Sequence, residues 1–249
     1  MARIGFRTIV VMGPVDLPLT LPDGAKMLRV GWRNDRRGAV PAAVNAVARK
    51  APGLWLHYCF NAEYLFFPFC ETRTVGEMLA FHTEERRDAM MTYVVDLYSD
   101  EPKGAGATRI DRAHLDASGY FSEARPDPQY PGRKADRQLN VFGGLRWRFE
   151  EHVPSQRQRI DRIGLFRAAP GVELRDDYTF SVPEYNTVSC PWHHNLTAAI
   201  CSFRAAKAMM RNAGSRNDID TFMWYRSVPF DWQSQQLLDL GLMEPGQWF

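Results

Sequence analysis

The chain lacks the short signatures that identify common enzyme classes. It has no G-x-G-x-x-G, no G-x-x-x-x-G-K-[ST], no G-x-S-x-G and no H-E-x-x-H. Rossmann dehydrogenase, P-loop, standard hydrolase and zincin readings therefore have no anchor. Cysteine is scarce: Cys59, Cys70, Cys190 and Cys201 are the four present, and none forms a C-x-x-C pair. A disulfide framework is excluded, and buried free thiols in a reducing cytosol are expected. A charge of one sign is missing too, since 31 Lys and Arg face 29 Asp and Glu for a net +2. That balance excludes a dedicated nucleic-acid binder. The most apolar window, residues 53–69, is interrupted by His57, Asn61 and Glu63. The run 9–12 is too short for a signal-peptide core. No transmembrane segment and a cytoplasmic location are the expectations. No repeat recurs at solenoid spacing.

With 249 residues, 45% of them hydrophobic and 24% charged, the chain can bury a core without crosslinks. Most of its cations are Arg, which favours bidentate contacts to phosphate or carboxylate. Two β-like runs, 8–12 and 26–32, flank a turn at Pro22, Asp23 and Gly24. Residues 41–49 open with Pro and continue in helix formers, ending before Pro52 and Gly53. Residues 54–60 are apolar enough for an interior strand of a mainly parallel sheet. A helix is expected over 74–92, with Thr74 and Glu77 as its capping box and 84–88 as a solvated face. Residues 99–106, 125–137 and 215–220 read as loops, and 196–211 as a buried helix.

Three segments carry candidate chemistry. Asn61, Ala62 and Glu63 end the apolar run, where a carboxylate can hold a hard divalent ion, cap the strand or pair with a cation. His193 and His194 follow Cys190, Pro191 and Trp192; one of them can serve a site, or the pair can mark a helix entry capped by Asn195. Residues 143–152 combine a Gly pair with Arg146, Arg148, Trp147, Glu150 and Glu151. These letters suit phosphate contact and proton removal from a hydroxyl, or a structural turn followed by a salt-bridged segment.

In order, these pieces resemble the GT-A type glycosyltransferases of family 2, in the bacterial branch with a D-x-D-E-F-like strand end. Asn34, Gly38, Ala42, Ala43 and Asn45 are similar to the family's N-x-G…A…N segment, and its carboxylate motif falls on residues 61–65 with Asn61 in the first acidic position. The resemblance implies one α/β domain, a mainly parallel sheet flanked by helices, with a shortened nucleotide-binding half (1–100) and an acceptor-side half (101–249). It implies transfer of a sugar from a nucleoside-diphosphate donor to a hydroxyl acceptor, glycan or lipid-linked. Glu63 with His193 or His194 would hold Mg²⁺ or Mn²⁺ and the diphosphate, Asn61, Arg146 and Arg148 would bind substrate, and Glu150 or Glu151 would be the base. Because Asn61 carries no charge, the alternative is a non-catalytic relative that binds a sugar nucleotide, polysaccharide or partner enzyme.

Overall fold

Two apolar runs near the N-terminus become strands: β1 (Thr8–Gly13) and β2 (Lys26–Gly31) pair in parallel, from Thr8 opposite Lys26 to Gly13 opposite Gly31. The structure, a computed structural model, describes residues 1–14, 18, 24–101, 104–188 and 194–248. The turn expected at Pro22 and Asp23 lies outside them. Helix α1 (Ala39–Ala48) has Pro41 in its first turn and buries Ala39, Pro41, Ala43 and Ala48. Strands β3 (Trp55–His57) and β4 (Glu63–Phe66) come next. Helix α2 (Val75–Glu84) starts with the expected capping box: the Glu77 N–H donates to Thr74 Oγ1 at 3.3 Å, and the Thr74 N–H to Glu77 Oε2 at 2.7 Å.

That helix stops at Glu84, short of the expected residue 92. Arg86 takes a left-handed φ of 56°, and the following run is strand β5 (Ala89–Asp96). Its Met, Thr and Val side chains are buried and Tyr93 is half-buried across both faces of a sheet, an environment that favours β-branched and aromatic residues. The remaining elements are β6 (Tyr98–Ser99), β7 (Ala113–Asp116), β8 (Phe121–Pro126), β9 (Lys134–Phe142), α3 (Leu145–Arg148), β10 (Asp161–Arg167), β11 (Ala198–Ser202), α4 (Arg204–Arg211), α5 (Ala213–Arg216), β12 (Ser227–Pro229) and α6 (Ser234–Asp239). The loop expected at 125–137 is mostly the closed end of the β8–β9 ribbon. The single helix expected over 196–211 is a strand followed by a helix. All five residues of β11 are buried between β5 and β4, and that burial overrides the helix preference of alanine.

Architecture is mixed α/β, built around a five-stranded sheet of order β3-β10-β5-β11-β4. A mainly parallel sheet was expected, but here β5–β11 is the parallel pair and the other three pairings are antiparallel. The run 54–60 is likewise not an interior strand. Only residues 55–57 pair, at the sheet edge, and Leu54 is 61% exposed. The rest of that aromatic run leaves the sheet and packs over its end. Leu65, Phe67, Met90, Val94, Leu165 and Ile200 fill the core on one face of the sheet. Phe66, Val95, Leu97, Ala199 and Cys201 fill the other, the alternation that a two-sided sheet requires. Cys201 is buried, Cys70 half-buried and Cys59 exposed, so the expectation of buried thiols holds for one of these three. Cys190 lies outside the described residues. Among the described residues no helix is long and apolar enough to cross a membrane.

Candidate functional site

Because β5 and β11 are parallel, Asp96 and Ser202 leave the sheet at the same end. Strand β4 runs the other way and starts there, with Glu63 opposite Ser202; β10 also starts there, at Asp161 and Arg162. Carboxyl ends of parallel strands are where α/β sheets take ligands. Strands β3 and β4 lie on opposite edges, so the link 58–62 crosses this end of the sheet. Within it Ala62 is held at a φ of 64°, unfavourable for a residue with a Cβ, and its carbonyl accepts the Phe203 N–H at 3.2 Å.

Glu63 sits at the centre of this end. One carboxylate oxygen accepts from Arg162 at 2.7 Å and from the Phe60 N–H at 2.9 Å. The other faces Arg162 at 3.4 Å and Arg204 at 3.5 Å. Burial alone would raise this carboxyl; the Arg162 charge and hydrogen bond, the Phe60 N–H and Arg204 outweigh it and hold the group below its ordinary value. The Arg162 side chain is 7% exposed, whereas that of Arg204 is 43% exposed. Arg204 lies 3.7 Å over the Phe60 ring, and Arg162 stands 5.3 Å from the Tyr58 ring centre. Tyr58 in turn stacks on Tyr178.

Two cations thus share one anion, and the surroundings hold unused hydrogen-bonding capacity. His57 Nε2, Tyr58 Oη and Arg162 Nε are buried without a hydrogen-bond partner among the described residues. His57 Nδ1 lies 2.7 Å from the Gly164 carbonyl, which makes it the protonated nitrogen and leaves Nε2 as an unmatched acceptor. Burial brings the His57 pKa down to about 4 against the opposing pull of that hydrogen bond.

The other candidate residues go elsewhere. Arg146 donates its backbone N–H and Nε to Asp96, both at 3.2 Å. Burial still raises the Asp96 carboxyl against the Arg146 charge. Arg148 binds Asp116 at 2.8 and 3.2 Å, and Asp116 also accepts from Trp224 Nε1 at 2.7 Å and from the Tyr98 hydroxyl. Both guanidinium groups are thus held by carboxylates of their own chain. The Gly pair permits two close approaches: a Cβ on Gly144 would stand 3.2 Å from Asp96 Oδ2, and one on Gly143 only 2.2 Å from Tyr120 Cδ1. Glu150 and Glu151 are exposed on the one-turn 3-10 helix Glu150–His152, with Glu151 3.7 Å from His152. Asn61 is exposed in the crossing link. His194 is exposed, and the Asn195 amide donates to Glu244 at 3.4 Å instead of capping a helix. His193 lies outside the described residues.

A divalent ion does not fit the Glu63 carboxylate as it stands, since either oxygen would bring the ion against a guanidinium. Among the described residues no three His, Cys, Asp or Glu side chains converge into a metal-holding group. Arg204, Asp96 and Asp116 escaped the reading of the sequence. Asp96 had a signal there, a carboxylate closing an apolar run in the same way as Glu63. No protein-family model, curated protein or solved structure matches the chain.

Proposed function

We propose that the chain is a glycosyltransferase-like protein, with a GT-A-like ancestry to its fold, that holds the diphosphate of a nucleoside-diphosphate sugar on arginine. In this reading no divalent ion takes part and no sugar is transferred. The observation that carries it is the sharing of the single carboxylate Glu63 by Arg162 and Arg204 at the carboxyl end of β5 and β11, which leaves one positive charge in excess. Phosphate is the anion that a planar guanidinium matches with paired hydrogen bonds. The exposed guanidinium of Arg204 supplies donors for it. The resemblance of residues 61–65 to the family's diphosphate-binding strand end selects a nucleoside diphosphate among phosphate ligands.

The test is calorimetric titration of the protein with uridine and guanosine diphosphates, in EDTA and in Mn²⁺. Saturable binding of at least one, unchanged by EDTA and weakened about tenfold or more by Arg204→Ala, is expected. Binding that appears only with Mn²⁺ would restore the divalent-ion site. Release of free sugar from a nucleotide sugar, or its transfer to a hydroxyl acceptor, would restore the enzyme and the base role of Glu150 or Glu151.

A further inference from the structure

Next to Arg146, the β8–β9 ribbon, Trp147 of α3 and the segment after it enclose an open groove of about 140 Å³ lined by Phe121, Glu123, Phe142, Trp147, Glu150 and Gln158. Phe121 and Glu123 are two residues apart on β8 and share a face, and Phe142 stands directly opposite Phe121 on β9. The two Phe rings stack at 5.3 Å, and Trp147 meets Phe121 edge-on at 5.8 Å and 74°. The result is a corner of three rings with Phe121 in the middle, Phe121 being 41% and Trp147 39% exposed.

The groove carries charge as well as rings, in two of its six lining residues. The buried carboxylates Glu63, Asp96, Asp116 and Asp161 are each ion-paired with arginine. Glu123 and Glu150 form no ion pair among the described residues. The Gln158 amide is turned away, donating to the Glu150 and Val153 carbonyls at 3.2 and 3.1 Å. An anionic ligand is excluded by the two carboxylates. A neutral sugar can stack on the rings but would leave both charges uncompensated as it displaced their water. A cation with an apolar envelope satisfies both features at once, the carboxylates through charge and the ring faces through the quadrupole.

We infer that this groove binds the alkylated ammonium head of a small soluble organic cation. The inference is independent of the sugar-nucleotide reading, since it draws on neither Glu63 nor the arginines around it.

The experiment compares choline with 3,3-dimethylbutan-1-ol, its uncharged isostere, by calorimetric titration of the intact chain. Methyl α-glucopyranoside and a short peptide with one trimethyllysine serve as further arms. Choline is expected to bind saturably, the neutral isostere about tenfold more weakly or worse, and the glucoside not at all. The double variant Glu123→Gln, Glu150→Gln and the single variant Trp147→Leu are each expected to weaken choline about fivefold or more. Equal binding of the neutral isostere, binding of the glucoside without choline, or no saturation by choline overturns the inference. Binding of the peptide alone assigns the groove to a protein tail and overturns it as well. The ligand comparison needs no variant, so it stands even if a substitution unfolds the protein.

Discussion

Replacing Glu63 by Gln keeps the shape of the side chain and removes one negative charge, with opposite consequences for stability and for ligand affinity. Arg162 is buried, and Glu63 is its one ion pair among the described residues. Stripping that partner leaves an uncompensated buried charge, which costs about 3–5 kcal/mol. The reciprocal change, Arg162→Met, leaves Glu63 with the Phe60 N–H and Arg204 and is expected to cost less, about 2 kcal/mol. For an anion the sign reverses. A phosphate on Arg204 would lie on the order of 6 Å from the Glu63 carboxylate, where one unit charge repels it by about 3 kcal/mol at an effective dielectric constant near 20. Screening at physiological salt reduces this, and a gain of about tenfold in nucleoside-diphosphate affinity is expected. Urea denaturation gives the first quantity, from the midpoint at constant slope. Titration in EDTA at 10 °C, with the variant verified as folded, gives the second. Were Glu63 a ligand of Mg²⁺ or Mn²⁺, the variant would lose affinity instead. Weaker binding by Glu63→Gln, or a larger stability loss in Arg162→Met, would refute the arginine-centred account.

The imidazole of His82 is 1% exposed and donates Nε2–H to the Ala89 carbonyl at 2.9 Å; burial lowers its pKa to about 4 despite that bond. Above about pH 6.5 both folded and unfolded chains carry it neutral, while below that the unfolded chain takes the proton more readily, so stability falls by about 3 kcal/mol as pH drops from 6.5 to 4. His57, lowered alike by burial, adds a similar slope over the same range, so His82→Gln should remove about half of the pH dependence measured by denaturation; an unchanged profile in the variant would exclude His82 as a contributor. Gly143→Ala places a Cβ into the Tyr120 ring and should lower stability by about 3 kcal/mol. By contrast, Gly132→Ala, at a φ of 84° with nothing within 4 Å, should cost about 1 kcal/mol. Equal melting temperatures for the two variants would show that the contact at Gly143 relaxes freely.

Local features were legible in the sequence, and long-range ones were not. The Thr74–Glu77 capping box spans three residues and was readable by eye, as were α1 and the pair β1 and β2. Strands β5 and β11 were misread because a short apolar run buried on both faces has no period of its own, so only its neighbours decide between strand and helix. Glu63 was recognised by the cost of burying a carboxylate at the end of an apolar run. Arg162, the group that offsets that cost, is 99 residues away, and no local pattern couples the two positions. Arg146 and Arg148 were identified as anion contacts, and the structure places them on Asp96 and Asp116. Residue type announced the chemistry of these arginines, while the topology chose their anions.

The strand order of the central sheet sets a schedule for synthesis. Strands β3, β4 and β5 are made first, yet none of them pairs with another: β3 pairs with β10, β4 with β11, and β5 with both. Every ladder of this sheet therefore waits for a segment from beyond residue 160. Such distant pairing makes folding slow, and it leaves the two-faced apolar strand β5 open to wrong partners while the chain is still growing on the ribosome. A chain cut after residue 160 would keep none of these ladders, so the smallest unit able to form the sheet runs at least as far as Ser202, which closes the last one against Glu63.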